Sequence, residues 1–423
     1  MCDLLHNAVA EKEWLRTHKC EIISELGWYI WQINPNNSAG NADSGAPIAS
    51  TKTHNTKSLE TRHNPTTTTH RRFEHAARQT MADAKRVLAV SSHVVHGYVG
   101  NRASTLPLQL LYWDVDVLNT VSFSNHTGYT QWRGDRHSAQ HIREIYTGLK
   151  MNTLTDYDVV VTGYIPGAEA VREVGAVVQE LRRDNAELGR EVLWILDPVM
   201  GDEEKLYVAP DVIPVYESLL PLATVITPNQ FEAELLSGIK FQSAPDIKTA
   251  LCTLYDKFGT PNIVISSAVA ADDAKKEEFV CAGQTRRKDG SLLQFYLRLP
   301  FINAYFTGTG DLFASLMSDR FWTYYTAAKG ADGDVPDAEL PLVRAVEDVS
   351  AIVQAVLRNT ADEVQKYNIR EDKMAAETGI PRPEPGTKER RIRDMKFGEL
   401  RLIQSQDKIR VPEVVVKARF DFA

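Results

Sequence analysis

The pattern of apolar and polar positions changes abruptly at Arg86, and from there short apolar runs alternate with segments whose apolar residues recur at helical spacing. Val87-Leu88-Ala89-Val90 predicts a buried strand that opens into a loop at Ser91-Ser92-His93. A helix is expected from Ala103 to Leu111, a strand over Asp114–Leu118 and a polar loop over Ser124–Tyr129. The alternation continues with a helix near 138–150, a strand over Val159–Thr162 and a helix near 168–185. Strand Val192–Leu196 then ends in Asp197-Pro198, and strand Val225-Ile226 ends in Thr227-Pro228-Asn229. Helices near 230–237 and 245–258 lead to strand Ile263–Ile265, which ends in Ser266-Ser267. Runs at 278–283 and 292–299 read as a hairpin, and helices near 310–326 and 342–360 follow. Apolar strands alternating with amphipathic helices predict an α/β fold, a mostly parallel central sheet with helices on both faces.

Three stretches stand apart from this pattern. Residues 1–80 hold six histidines (His6, His18, His54, His63, His70, His75), and from Asn34 to Thr80 they are dominated by Asn, Ser, Thr, Gly and Ala. Such a composition buries too little apolar surface to offset its ordering entropy. Asp3, Glu11, Glu13, Glu21 and Glu25 argue against a mitochondrial presequence, and no clean basic start and apolar stretch marks a secretory signal. The segment is expected to be a disordered extension or the product of start-codon choice. Met81, directly before the first strand, favours the second reading. Residues 81–423 then form the body, with surface insertions expected at about 327–341 and 365–396. The first is rich in Gly, Asp and Ala, and the second, with Pro381, Pro383, Pro385 and Gly386, reads as an exposed linker. Leu400–Ile403 and Val414–Val416 are expected to rejoin the body.

Composition narrows the classes. At 423 residues and 43% hydrophobic the chain can build a full core. A net charge of −8 argues against a general nucleic-acid binder, and no run of eighteen apolar residues predicts a membrane span. Cys2, Cys20, Cys252 and Cys281 are scattered without a CxxC pair, which fits a reducing, intracellular setting, read as cytoplasmic with the nucleus as the alternative.

Candidate chemistry collects after successive strands. In open α/β sheets ligands bind outside the carboxyl ends of the strands. Ser92, Thr162, Asp197, Thr227 and Ser266 all fall at such ends, and Asp311 opens a helix after the last ones. Phe306-Thr307-Gly308-Thr309-Gly310-Asp311 is a glycine turn before Leu312, Phe313, Leu316 and Met317, which share a helical face. Free N–H groups at a helix start hold anions, and an aspartate there either caps the helix or takes a proton from an attacking hydroxyl during phosphoryl transfer. Asp197 closes an apolar run, where a carboxylate is costly unless it is paired or binds a cation. Thr227, Asn229 and Glu232 either cap the next helix or share a ligand, their oxygens suiting Mg²⁺ with nucleotide phosphates. The polar loop Gly201–Tyr207 is either a lid over nucleotide or a plain connection. No GxxxxGK[ST] loop is present, so this is not a P-loop protein, and His93, His96 and His126 lack metal-ligand spacing.

Five motifs, in order, carry a resemblance. Ser92-His93-Val94-Val95-His96-Gly97-Tyr98-Val99-Gly100-Asn101-Arg102 and Phe123-Ser124-Asn125-His126-Thr127-Gly128-Tyr129 resemble the pyridoxal kinase family of the ribokinase-like superfamily. So do Asp197-Pro198-Val199-Met200-Gly201-Asp202, Thr227-Pro228-Asn229-Gln230-Phe231-Glu232 and Gly308-Thr309-Gly310-Asp311. The similarity runs from about Arg86 to Ala418. It implies ATP-dependent phosphorylation of the 5′-hydroxymethyl group of pyridoxal, pyridoxine or pyridoxamine by a homodimeric enzyme. Ser92 would hydrogen-bond the pyridine ring, Thr127 and Tyr164 would enclose it, and Val99, Val121 and Phe123 would pack nearby. Asp311 would be the base, with the Gly308, Thr309 and Gly310 amides as the anion hole. Asp197, Thr227 and Glu232 would organise Mg²⁺ and a monovalent cation, K⁺ or Na⁺. The ATP side would comprise Asp197, Thr227, Asn229, Ser266 and Ser267 with Gly308 and Thr309, and Asp202 and Tyr207 would belong to the lid. Two readings compete: a kinase acting on hydroxymethylpyrimidine, and a non-catalytic regulator that binds pyridoxal phosphate. The Ser124–Gly128 loop speaks against the first, and the intact glycine turn and Asp311 against the second.

Overall fold

The computed structural model describes residues 84–202, 204–269, 277–329 and 335–422. The expectation for residues 1–80 therefore lies outside the described residues.

The first strand, β1 (Lys85–Val94), leads through a glycine-containing loop into α1 (Asn101–Leu110) and then β2 (Trp113–Phe123), which runs parallel to β1. A short β3 (Gly134–Arg136) folds back antiparallel on the end of β2. Next come α2 (Ala139–Met151), β4 (Val159–Thr162), α3 (Ala168–Glu187) and β5 (Leu193–Leu196). Strands β6 (Gly201–Asp202) and β7 (Lys205–Leu206) form a small separate hairpin. After it follow α4 (Ile213–Leu219), β8 (Val225–Ile226), α5 (Gln230–Ser237), α6 (Ala244–Phe258) and β9 (Asn262–Ala268). The antiparallel pair β10 (Glu278–Arg286) and β11 (Leu292–Pro300) precedes α7 (Thr309–Lys329), α8 (Pro341–Thr378), α9 (Lys388–Phe397) and α10 (Gln406–Arg410). The main sheet has the order β11-β10-β9-β8-β5-β4-β1-β2-β3, parallel from β9 through β2 and antiparallel at both edges.

Alternation along each strand divides the core in two. Leu88 and Val90 of β1, with Trp194 and Leu196 of β5, pack in the layer that holds Tyr146, Val171, Leu181 and Leu251. Val87 and Ala89, with Leu193 and Ile195, pack against Leu108, Leu316, Val346 and Ile352 on the opposite face. Successive side chains of a strand point to opposite faces, so a strand covered on both must be apolar throughout. Each fully buried aliphatic side chain contributes roughly 1.5–3 kcal/mol relative to exposure. This explains why the strands read as unbroken apolar runs.

Three local expectations are corrected. β1 does not open at Ser91 but continues to Val94, because Ser91–Val94 pair with Asn119–Phe123 of a β2 that is also longer than expected. The register shifts between Ser91 and His93, a bulge of the kind that re-aims side chains beside active sites. The loop after Asp197 is partly ordered as the β6–β7 hairpin rather than being a plain polar loop. The segment read as an exposed linker is mostly helix: α8 runs on to Thr378, closes at Gly379 (φ 70°) and is followed by α9. Its charges pair with one another instead of facing only solvent. Arg393, buried, donates to Glu371 Oε2 at 2.6 Å and Asn368 Oδ1 at 2.5 Å, and the Tyr367 and Phe397 rings stack 3.6 Å apart. The C-terminal runs do rejoin the body: Leu400 and Leu402 are buried in the second core, and Arg419 pairs with Tyr296.

Candidate active site

The glycine turn begins α7, and its conformation requires glycine. Gly308 has φ +80°, and a Cβ there would lie 2.0 Å from the Tyr98 carbonyl oxygen. No L-residue with a side chain fits both conditions. Asp311 follows in the first turn of α7, while Leu312, Phe313, Leu316 and Met317 bury the helix on the sheet as their spacing predicts. The Asp311 carboxylate accepts from Ser91 Oγ at 3.4 Å and from the Gly100 amide. Burial raises its carboxyl to about 6, partly offset by those two bonds. A cavity opens here between Ser91, Thr162, Gly163, Asp197, Asp311 and Ala314. A Cβ on Gly163 would stand 2.5 Å from Ser91 Oγ and 3.3 Å from Asp311 Oδ1. The backbone at the end of β4 thus forms one wall.

Two more acids stand behind the turn. Asp197, at the end of β5, is buried, accepts from Thr227 Oγ1 at 3.3 Å, and has Oδ2 3.6 Å from the Cβ position of Gly310. Burial and the neighbouring Glu232 and Asp311 charges push its carboxyl well above the usual carboxylate range. Glu232 is buried as the partner of Asn229 in a capping box at the start of α5. Its Oε2 accepts the Asn229 N–H at 3.0 Å, and its Oε1 accepts the Met200 and Gly201 N–H groups at 2.8 and 3.5 Å. Burial raises the Glu232 carboxyl to about 8 against the pull of those bonds. The Asn229 amide also donates to the Gly201 carbonyl at 2.8 Å, which ties the base of the hairpin to α5. Asp197 beside Gly310, with the Thr227 hydroxyl on it and surplus negative charge around it, could hold a hard cation such as Mg²⁺. Among the described residues no group of three or more His, Cys, Asp or Glu stands at metal-binding distance, so any such ion would take its remaining ligands from phosphate and water.

An apolar cluster adjoins the glycine turn, Val99 Cα lying 3.3 Å from the Cβ position of Gly308. Val94, Val121 and Phe123 are buried together, and Val99, Trp132 and Tyr164 pack against them. The Phe123 and Trp132 rings lie 4.4 Å apart at 34°, with the Arg136 guanidinium 5.1 Å from the Trp132 ring. Gly100, φ +54°, lies so close to Ser92 that a Cβ would be 2.3 Å from Ser92 Oγ. The bulge in β1 therefore sets Ser91 toward Asp311 and seats Ser92 on Gly100.

Comparison with known proteins shows what this arrangement belongs to. A phosphomethylpyrimidine kinase family model matches residues 142–326. Human pyridoxal kinase is 37% identical over 347 residues, 80% of this chain and 99% of the relative. The Arabidopsis thaliana enzyme is 36% identical over 338 residues, covering 80% and 95%. Pyridoxal kinase from Leishmania donovani, solved in complex with ADP and pyridoxine, superposes with a TM-score of 0.64 at 32% identity, covering 79% of this chain and 99% of that one. The chain belongs to the pyridoxal kinase family. Its fold is the ribokinase-like α/β fold of that family.

Against this pyridoxal kinase frame the sequence-predicted residues sort by position. Asp311 and Asp197 meet at the cavity, Gly310 stands against Asp197 and Gly308 against Tyr98, and Val99, Val121, Phe123 and Tyr164 fall in one apolar cluster. Thr227, Asn229 and Glu232 sit behind Asp197, with Asn229 and Glu232 serving the cap that local reading also allowed. Ser266 lies in β9 with its N–H on the Pro228 carbonyl at 3.0 Å, and Ser267 is exposed beside it. Thr127 and Tyr207 are exposed, and Asp202 and Lys205 pair in the hairpin. Ser91, Gly100, Gly163 and Trp132 were not anticipated. A glycine beside a polar residue was the one local trace of Gly100 and Gly163. Asn101 was missed too: its amide donates to the Ser91 carbonyl at 3.1 Å and to Asn119 Oδ1 at 2.8 Å, which pins the bulge. No helix among the described residues is long and apolar enough to cross a membrane.

Proposed function

We propose that this chain transfers the γ-phosphoryl group of ATP to the 5′-hydroxyl of pyridoxal, pyridoxine or pyridoxamine. The observation that carries the reading is Asp311, placed on a glycine turn at a cavity it shares with the buried Asp197. A bond forms between the 5′-oxygen and the γ-phosphorus, the bond to the β–γ bridging oxygen breaks, ADP leaves, and the hydroxyl proton passes to Asp311. With its carboxyl at about 6, Asp311 is mostly ionised at neutral pH yet basic enough to accept that proton as the bond forms. The Gly308, Thr309 and Gly310 amides at the start of α7 stabilise the developing phosphoryl charge. Asp197 and Thr227 would hold Mg²⁺, with Glu232 behind them. When bound, the ion neutralises phosphate charge as the bond breaks. On the vitamin side, Val99, Val121 and Phe123 form the wall, Ser92 is the ring's hydrogen-bond partner, and Thr127 and Tyr164 close over it. Asn229, Ser266 and Ser267 serve ATP, and Asp202 and Tyr207 close the nucleotide side. The monovalent cation and the homodimer stand with this proposal on the resemblance, and a cytoplasmic location on the scattered cysteines.

The family model described as phosphomethylpyrimidine kinase gives a second acceptor to test, although its match begins only at residue 142 and leaves out Ser92, Val99 and Thr127. The purified protein should be assayed with ATP and each of the three B6 vitamers and hydroxymethylpyrimidine, product being followed by mass spectrometry. Phosphorylation of the vitamers in preference is expected. Preference for hydroxymethylpyrimidine, or no product from any acceptor, would overturn the proposal.

A further inference from the structure

One buried acid lies outside the cavity yet touches the loops that shape it. Glu399 follows α9 and is 4% exposed. Its Oε2 accepts the Tyr98 N–H at 2.8 Å, and its Oε1 accepts the Tyr129 hydroxyl at 3.0 Å. His126 Nε2 lies 3.3 Å from the same Oε1 and 3.4 Å from Thr307 Oγ1. The Gly128 N–H donates to His126 Nδ1 at 3.2 Å, which assigns the ring proton to Nε2. Gly97, at φ +101°, is the complement of this acid: a Cβ there would be 2.4 Å from Glu399 Oε1. Burial opposes the charge, but the bonds from His126, Tyr98 and Tyr129 prevail and hold the carboxyl below its ordinary range.

The three partners come from two different loops, and His126 reaches a third segment through Thr307. Tyr98 is in the turn between β1 and α1, His126 and Tyr129 are in the loop after β2, and Thr307 leads into the glycine turn. The Tyr98 peptide is the link between them: its N–H is held by Glu399, and its carbonyl is the atom that a side chain on Gly308 would strike. The loop after β2 is also braced from α9, where Arg391 Nε donates to the Gly128 carbonyl at 3.0 Å. A carboxylate satisfied by charge-assisted bonds is stiff, and each such bond is stronger than a neutral one.

We infer that Glu399 is a positioning residue for phosphoryl transfer. It locks the vitamin-side loops to the Gly308 turn, so that the acceptor hydroxyl meets Asp311 at reacting distance. A displacement of about 1 Å at a reacting pair costs on the order of a hundredfold in rate, so a lock of this kind acts on catalysis without touching substrate. The inference deepens the proposed function and rests on it for its kinetic readout.

The test is Glu399→Gln beside the milder Tyr129→Phe. Gln keeps an acceptor for Tyr98 N–H, but its amide group cannot accept from Tyr129 and His126. In Glu399→Gln, kcat/KM for pyridoxal should fall roughly ten- to hundredfold, the loss of a bond to a charged group. KM for ATP should stay within about twofold, because only the vitamin side moves. Tyr129→Phe should give a smaller loss of the same kind, and the double variant no loss beyond Glu399→Gln, since the acceptor for that hydroxyl has already gone. Hydrogen exchange should rise together in peptides spanning 97–100 and 305–309. A Glu399→Gln enzyme with a lower melting point but unchanged kinetics would make Glu399 a structural staple and overturn the inference. If that variant does not fold, Tyr129→Phe decides: an unchanged kcat/KM for pyridoxal overturns it. Should the parent phosphorylate no vitamer, the functional proposal fails by itself. The exchange measurement then decides on Glu399, uncoupled exchange at the two loops counting against it.

Discussion

The two ends of the cleft solve opposite problems. At the end proposed for the phosphates, Asp197, Glu232 and Asp311 are crowded into poorly solvated positions, and burial pushes the carboxyls of all three upward. At the end proposed for the vitamin, Val94, Val121 and Phe123 are covered by Val99, Trp132 and Tyr164, and the surface is largely hydrocarbon and ring face. The first end holds electrostatic tension that a cation and a proton in transit would relieve. The second holds a shape that costs little to maintain and discriminates by fit. Changes at the phosphate end should therefore appear in turnover and pH dependence, and changes at the vitamin end in the apparent affinity for the acceptor.

The largest effect that would break this contrast is at Asp311. Asn has the shape of Asp and keeps an oxygen that can accept, so Asp311→Asn should keep or slightly raise the melting point, a neutral side chain replacing a buried acid. Turnover should fall roughly 10²–10⁴-fold. Steady-state rates with melting curves on this one variant decide: near-parental turnover would leave Asp311 a structural residue and nothing more. A smaller effect sharpens the other end. Ser92→Ala should raise the apparent constant for pyridoxal by about 0.5–1.5 kcal/mol, roughly two- to tenfold, while the constant for ATP moves little. Titrating each substrate against the variant shows whether the two ligands have been placed at the right ends, and a reversed pattern would exchange them.

The smallest effect concerns stability. Asp311 at about 6 and Glu232 at about 8 are both raised on folding, chiefly by burial. A carboxyl raised in this way favours the folded state at low pH, and its contribution is lost as pH rises through the folded value. Melting of the cation-free protein should therefore drop by a few degrees between about pH 5 and pH 8. Asp197→Asn should flatten that slope, because it removes a third acid pushed upward in the same place. Melting curves across this interval that are flat in the parent, or unchanged in slope by the substitution, would show that the acids are already relieved within the protein.

How much of this was legible in the chain depended on distance along it. The strand Val159–Thr162 and the helix Gln230–Ser237 lie where period and capping residues put them. So does the turn at Gly308–Asp311, because a strand run, an Asn…Glu capping box and a glycine turn are decided within a few residues. The polar residues at strand ends were legible for a related reason: a parallel sheet brings its strand termini to one edge whatever the loops do.

What the tertiary structure alone decided is the contacts whose partners are far apart. The extension of β1 through Ser91 and Ser92 depends on pairing with β2, and the bulge that turns Ser91 to Asp311 appears only when the register does. Ser91 and Asp311 are 220 residues apart, and Tyr98 and Glu399 are 301 apart. No local pattern marks Glu399, in Gly398-Glu399-Leu400, as anything but a surface acid. It became buried because two loops brought donors to it, and a carboxylate is stable out of water only where such donors converge.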